Sequence, residues 1–395
     1  MRFMRSRVGL WVALCFVAIA AAAVFLTLPG SSPVSPYAAS AAPRGAPLAT
    51  YVSTSGISHD DVANLRGLPT WHPGLPNGIN KDWRVSIDNV WTQIESEHAD
   101  AVFAQGDMVQ GFWGVDDDHT GIFGPIDTYR HRLQAIHNAG DSYYHALKRE
   151  YRAHGLTVYP GMGDHEMGGL DTDGNTAPHT FRARAYPEWV KTWEANFHHR
   201  AYYHVKLPGS VELWTLKPFR QDPDGGVSAI LSRAERRWLS TSLDRSTARW
   251  KIVQSEIPPY SSPGFHGIHT SQTHLIDAQQ VWTIMRNHGV DLMLCAEFHD
   301  VDALQRGGLP EIIHGGAVAG LSANYLRIDV YRDRLAITLT RMANGTTTGT
   351  GTLWAPSDRH RSPLHIHMTT DHSVTGHMVV GHDGIVSADG ELVPY

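Results

Sequence analysis

The sequence predicts a layered α/β fold, and three observations carry that prediction. Strands alternate with helices from Thr50 to Thr340, the pattern of sheets covered by helices. The strand segments are short apolar runs, such as Ala101–Ala104 and Val290–Leu294. Several of these runs stop at an acid-bearing turn, which is where open α/β sheets place ligands. The 395 residues are 42% hydrophobic and 18% charged. That composition suits a globular chain with a sizeable core, in one large domain or two ordinary ones.

Thr50–Ser53 reads as the first strand, and Gly56–Gly78 as a loop containing Pro69, Pro73 and Pro76. Lys81–Glu97 has Trp83, Val90, Trp91 and Ile94 at helical spacing. The strand Ala101–Ala104 follows, stops at Gly106-Asp107, and leads into the acidic, aromatic loop Phe112–Phe123. Ile126–His154 is one or two helices, broken near Gly140. Leu156–Tyr159 is a strand ending in Pro160-Gly-Met-Gly-Asp-His-Glu166, and Pro187–Asn196 is a helix. Tyr202–Leu207 and Val211–Lys217 form a strand pair around Pro208-Gly209-Ser210.

Ser232–Leu243 begins as a capping box, with Ser232 followed three residues later by Glu235. Trp250–Gln254 is a strand ending at Ser255-Glu256. Gln279–Asn287 is a helix, and Val290–Leu294 is a strand ending at Ala296-Glu297-Phe298-His299-Asp300. Ile312–Ile313, Tyr325–Val330 and Leu335–Thr340 are consecutive strands. His365–Tyr395 alternates like β-structure, with turns at Asp383-Gly384 and Asp389-Gly390.

The amino terminus is a targeting segment. Arg2, Arg5 and Arg7 precede the uncharged apolar run Val8–Leu28. At about 1.5 Å per residue this run just spans a bilayer core of about 30 Å. Ala39-Ser40-Ala41 resembles a signal-peptidase site, but it lies far past the apolar run, so an uncleaved anchor is equally open. Either way residues 1–28 direct export, to a secreted form or to the outer face of the cytoplasmic membrane. Membrane contact is expected only through this segment. Residues 29–47, rich in Pro, Ser and Ala, read as a linker. Cys15 lies in the apolar run, so the exported part keeps only Cys295 and has no disulfide framework. The formal charge of −6 gives no basic footprint, and nucleic acid is not an expected partner.

The strand ends present, in order, Gly106-Asp107, Gly163-Asp164-His165-Glu166, Ser255-Glu256 with Pro258-Pro259-Tyr260, and Glu297-Phe298-His299. The run Leu231-Ser-Arg-Ala-Glu-Arg-Arg-Trp-Leu-Ser240 precedes Ala248-Arg-Trp-Lys-Ile-Val-Gln-Ser-Glu-Ile-Pro-Pro-Tyr260. Over Tyr51 to Thr340 this order resembles the calcineurin-like metallophosphoesterase superfamily, on its purple-acid-phosphatase-like branch. The resemblance implies a metallophosphoesterase domain over 48–345, a four-layered β-sandwich flanked by helices, with 346–395 as a β-rich extension. It also implies a two-metal site at the strand ends. The bridging Asp of the family maps to Asp107. Its Gly-Asn-His motif maps to Asp164, as a metal ligand, and to His165, as the catalytic His. Its next His maps to Glu256, and its Gly-His-x-His motif to Glu297 and His299.

The departures from the family pattern are specific. Two positions normally His are Glu256 and Glu297, and one normally Asn is Asp164. Oxygen ligands favour Mg²⁺, Mn²⁺ or Ca²⁺, with Fe or Zn as further options for the divalent metal. The first motif of the family, Asp-x-His, aligns with Gly56 and Ser58. His59, Asp60 and Asp61 could reach the site instead, although a solvated loop is the simpler reading.

The function implied is an exported, metal-dependent phosphoric ester hydrolase acting on a monoester or diester, with a metal-activated water attacking phosphorus. The alternative is a non-catalytic metal-binding relative with a degenerate site. His266–His274, after the Pro-Pro-Tyr turn, is a candidate substrate-contact loop by position alone, and Asp116–His119 is a candidate cleft-lining segment, with ordinary solvation as the competing reading. For Glu256 and Glu297 the competing reading is a structural salt bridge to an arginine. His365, His367 and Gly381-His382-Asp383-Gly384 read as an exposed strand and a hairpin turn.

Overall fold

The computed structural model describes residues 45–55, 64–73, 75, 81–109, 113–114, 120–167, 179–265, 273–316, 323–346 and 366–395. Residues 1–44, with the expected targeting segment and most of the linker, lie outside them. Among these residues fifteen strands and five α-helices follow one another. They are β1 (Ala49–Thr54), α1 (Lys81–Ser96), β2 (Ala101–Ala104), α2 (Tyr129–Ala153), β3 (Val158–Pro160), α3 (His179–Phe197), β4 (Tyr203–Leu207) and β5 (Val211–Thr215). Next come β6 (Phe219–Gln221), β7 (Val227–Ala229), α4 (Arg233–Arg245), β8 (Trp250–Ser255), α5 (Ala278–Asn287) and β9 (Leu292–Cys295). The chain finishes with β10 (Asp302–Arg306), β11 (Leu309–Ile313), β12 (Asn324–Val330), β13 (Leu335–Thr346), β14 (Ile366–Gly381) and β15 (Gly384–Gly390).

Seven strands form one sheet in the order β15-β14-β13-β12-β1-β2-β3, and six form another in the order β10-β11-β9-β8-β5-β4. In the first, β1, β2 and β3 are parallel and β12 to β15 run on as an antiparallel meander. In the second, β5, β8, β9 and β11 are parallel, and β4 and β10 close the edges antiparallel. Every parallel strand therefore ends in the same sense within its sheet, which gathers the strand-end turns.

Side-chain alternation fixes the layers. Tyr51, Phe103, Leu213, Ile252, Leu294, Leu326 and Ile337 belong to one core shared by both sheets. Their neighbours Val52, Val102, Val253, Met293 and Cys295 face outward into a second apolar cluster that takes in the helices. Strands buried on both faces read as unbroken apolar runs, as β2 and β9 do. Trp91 of α1 meets Tyr151 of α2 edge-on, and Gln93 of α1 donates to the Tyr325 hydroxyl of β12, so these helices cover the first sheet. Lys251 of β8 donates to the carbonyls of Leu243 and His288, at the ends of α4 and α5, on the second. This is the helix-flanked, four-layered β-sandwich.

Several elements differ in detail from expectation. Helix α2 is continuous through Gly140, which is there for space rather than for a break. A Cβ at that position would lie 2.2 Å from Thr192 Cγ2 of α3. Helix α3 starts eight residues before Pro187 and carries that proline inside it. The capping box is half formed. Ser232 Oγ accepts from Glu235 N at 3.1 Å, but the Glu235 carboxylate turns away and accepts from the backbone N–H of Lys217 at 2.7 Å. Strands β6, β7 and β10 were not anticipated: β6 and β7 have three residues each, too few to show a period, and β10 is polar, with Asp302, Gln305 and Arg306 among its five. Strands β14 and β15 continue the first sheet, and their two-residue turn is His382-Asp383 between Gly381 and Gly384.

Two outcomes follow from this packing. Gly140→Ala forces α2 off α3 and lowers stability by about 1–3 kcal/mol, the usual range for overpacking; an unchanged urea midpoint would contradict it. Glu235, fully buried, has its pKa pushed by burial from an ordinary 4.5 up to about 7, with the Lys217 charge and N–H opposing. A raised acid favours the folded state only while protonated. The chain thus loses up to about 3 kcal/mol as pH rises between those two values, and Glu235→Gln lacks that loss. Parallel stability–pH curves for the two proteins would rule this out.

Candidate metal centre

The turns after β2 and β3 are pressed together. The strands end side by side, with Ala104 opposite Pro160. A Cβ on Gly106 would sit 2.8 Å from the Gly163 backbone, and one on Gly163 would sit 2.2 Å from Asp107 Oδ1. Only glycine permits this approach, and Gly106 also has φ 133°. Among the described residues six non-glycines have positive φ, and three of them are Asp107 (55°), Glu297 (64°) and His299 (52°). Left-handed backbone costs such residues about 1–3 kcal/mol each and persists where its surroundings enforce it.

These turns bring four acids to one point. Asp107, Asp164, Glu256 and Glu297 each offer an oxygen within 4.8 Å of the other three, and all four are buried. They come from the ends of β2, β3, β8 and β9, two strands from each sheet. Glu256 Oε2 accepts from Asp164 N at 2.8 Å, and Asp107 Oδ1 accepts from His165 N at 3.3 Å. The imidazole Nε2 atoms of His165 and His299 each lie 3.8 Å from Asp107 Oδ2. His299 is buried, whereas 21% of the His165 side chain is exposed.

The electrostatics sort the acids. Burial alone would raise Asp107, but the facing His165 and His299 outweigh it and hold its carboxyl well below the usual range. Glu256 is driven well up by burial, then by the charges of Asp107, Asp164 and Glu297. Two like charges at this separation repel by about 3–4 kcal/mol at an effective dielectric of about 20. Four ionised carboxylates in that space need a positive charge between them. No lysine or arginine among the described residues pairs with Glu256, so the salt-bridge reading does not hold there. An all-oxygen set with imidazoles beside it fits a divalent cation, and a hard one best.

Residues not anticipated hold this cluster in place. Glu166, fully buried, accepts from four backbone N–H groups: Asp107 at 3.0 Å and Gly163 at 2.6 Å through Oε2, Met108 at 2.6 Å and Val109 at 3.1 Å through Oε1. Burial and the Asp107 charge push its pKa up to about 8, against the pull of those donors. Beneath the acids a polar chain joins the sheets. Gln105 Nε2 donates to Ser53 Oγ at 2.8 Å and to Gln254 Oε1 at 3.2 Å, and Gln254 Nε2 donates to Thr215 Oγ1 at 2.8 Å. His314, just past β11, lies 2.8 Å from the same Ser53 Oγ, and burial pushes its pKa down to about 3. The sequence did offer a signal: Glu166 closes the Gly-Asp-His-Glu run, and His314 ends an apolar strand as Asp107 and Glu297 do.

The structure thus brings together Asp107, Asp164, Glu256 and Glu297, with His165 and His299 both beside Asp107 Oδ2. Gly56, Ser58, His59, Asp60 and Asp61 lie outside the described residues, as do Asp116–His119, residues 266–272 and His365. His274 is described, and its ring packs edge-on to Phe298 beside the cluster. Cys295 is buried, and its thiol faces Glu311 Oε1 at 3.5 Å. Glu166→Ala strips four donors of their acceptor and lowers stability by on the order of 3 kcal/mol. It also speeds hydrogen exchange at Met108 and Val109, and exchange at the parent rate would count against this role.

The sequence matches no protein-family model and no curated protein sequence. Among solved structures the chain is similar to a dimetal phosphatase from Danio rerio, at 12% identity and a TM-score of 0.47, covering 75% of this chain and 96% of that one. It is similar to PhoD at 12% identity and a TM-score of 0.46, covering 87% and 72%. It is also similar to GAP50, the anchor in the inner membrane complex of Plasmodium, at 11% identity and a TM-score of 0.41, covering 81% and 88%. By its two facing sheets, its covering helices and its clustered acids, it has the metallophosphoesterase-type sandwich that its resemblance to the calcineurin-like superfamily implies.

Proposed function

We propose that this protein is an exported, metal-dependent phosphoric ester hydrolase. The observation that carries the reading is the meeting of four buried carboxylates from separate strands within 4.8 Å. Asp107, Asp164, Glu256, Glu297 and His299 are the proposed ligands, with Mg²⁺, Mn²⁺ or Ca²⁺ favoured by the oxygen donors. A cation held there supplies a Lewis acid for the phosphoryl oxygens and lowers the pKa of water. Asp107, kept ionised by two imidazoles, is the central ligand. His165 is the partly exposed imidazole beside it and is placed to serve the leaving group. As hydroxide, formed when water loses a proton to solvent, adds to phosphorus and the ester P–O bond breaks, His165 gives its proton to the departing alcohol oxygen. Export rests on the basic, apolar amino terminus, and the substrate is a phosphate ester.

The carboxylate-rich donor set also favours a second reading, a non-catalytic relative that binds Ca²⁺. Metal content and hydrolysis of an aryl phosphate and a bis-aryl phosphate separate the two. The hydrolase reading expects turnover with at least one divalent cation. Asp107→Asn loses metal and turnover together, while His165→Ala keeps metal and loses about 10²–10⁴-fold in kcat. Full turnover in Asp107→Asn, or bound metal without hydrolysis across several cations, would defeat the hydrolase reading.

A further inference from the structure

A cavity of about 550 Å³ opens between edge strand β4 and helix α4. It lies along the β4 edge of the second sheet, apart from the acids. Glu212, on its wall, is in register with Lys251 near the start of β8. Glu256 follows β8 at its far end, five residues on, which is about 16 Å along a strand.

The lining is basic and aromatic. Trp238, Thr241, Ser242 and Arg245 recur at helical spacing on one stripe of α4, and Arg237 flanks it. Across from them His204 and Lys206 alternate on one face of β4. Lys206, Arg237 and Arg245 make no ion pair among the described residues, although acids outnumber bases in the chain, 39 to 33. The one acid in the wall, Glu212, is buried and already engaged. It accepts from Ser246 Oγ at 2.6 Å and lies 2.6 Å from His204 Nδ1. It stands opposite Lys206 across the strand pair and offsets one of the three cations, which leaves the wall with a net positive charge. The rings form a platform: His204 stacks on Trp214 at 5.8 Å and 10°, and Trp238 packs against Tyr202 at 4.9 Å. Buried Glu212 and Trp214 Nε1, which donates to Ser242 at 2.9 Å, fix both walls.

We propose that this cavity binds a small anion carrying a planar ring, of the nucleoside-monophosphate class. Its volume lies within the range of small-molecule sites. Arg237, Arg245 and Lys206 meet the phosphate by charge-assisted hydrogen bonds, and the Trp238 and His204 rings meet the base. The site is separate from the metal centre and does not depend on the hydrolase reading.

Calorimetry on the chelator-treated full chain tests this with adenosine monophosphate, adenosine and inorganic phosphate as probes. Adenosine monophosphate gives saturable binding, and each half of it binds at least about tenfold more weakly. The double charge reversal Arg237→Glu with Arg245→Glu, both exposed, weakens adenosine monophosphate by about tenfold or more. Trp238→Ala weakens adenosine monophosphate but leaves phosphate unchanged. Asp107→Asn leaves the binding intact. The proposal fails if no probe saturates, if the double reversal binds like the parent, or if Asp107→Asn alone abolishes binding. Inorganic phosphate binding as tightly as adenosine monophosphate would also overturn it, by removing the ring from recognition.

Discussion

Mutual repulsion among buried carboxylates is the constraint on which this structure turns. Asp107, Asp164, Glu256 and Glu297 come from four strands and two sheets, and they converge within 4.8 Å. Apolar burial cannot have put them there, because taking ionised carboxylates out of water is unfavourable. They are held by the fold's hydrophobic cores, which set the strands, and by the turns that leave those strands. Two imidazoles keep Asp107 ionised while burial, and then the neighbouring acids, push Glu256 the other way. One site therefore contains an acid that holds its charge and another that resists it.

Much of the holding is done by backbone. Asp107, Glu297 and His299 sit in left-handed conformations, and Gly106 and Gly163 let two turns touch. Glu166 gathers the N–H groups of the Asp107 turn around one carboxylate. Strain stored at one point is thereby fixed by hydrogen bonds a residue or two away. Below, the Gln105–Ser53–His314 and Gln105–Gln254 contacts tie the two sheets at the depth where their acids begin. A sandwich joined only by apolar contacts would let the sheets slide; directional hydrogen bonds limit that freedom.

The parallel strands also divide the molecule by polarity. Their carboxyl ends collect acids, whereas the β4 edge of the second sheet, with α4, collects Lys206, Arg237 and Arg245 around a cavity. The same topology that focuses negative charge at one end leaves α4 and β4 to shape this edge. Both are concave places where side chains from several segments can point to one spot.

The alternation of strand and helix, the apolar runs of β2 and β9 and the acids that terminate them were legible in the sequence, because periodicity and strand-end composition are local properties. The resemblance named Asp107, Asp164, His165, Glu256, Glu297 and His299, and tertiary structure decided that they meet. Sequence also placed α1 and α4 within a few residues. It misread Gly140 as a break, since the reason for that glycine is Thr192, fifty-two positions away. It took Glu235 for a helix cap, whereas the carboxylate serves Lys217 on another element. Glu166 and His314 were hidden for the same reason. The amides of Glu166 come near when β2 and β3 pair, and the serine of His314 when the sheets close, contacts that no local pattern records.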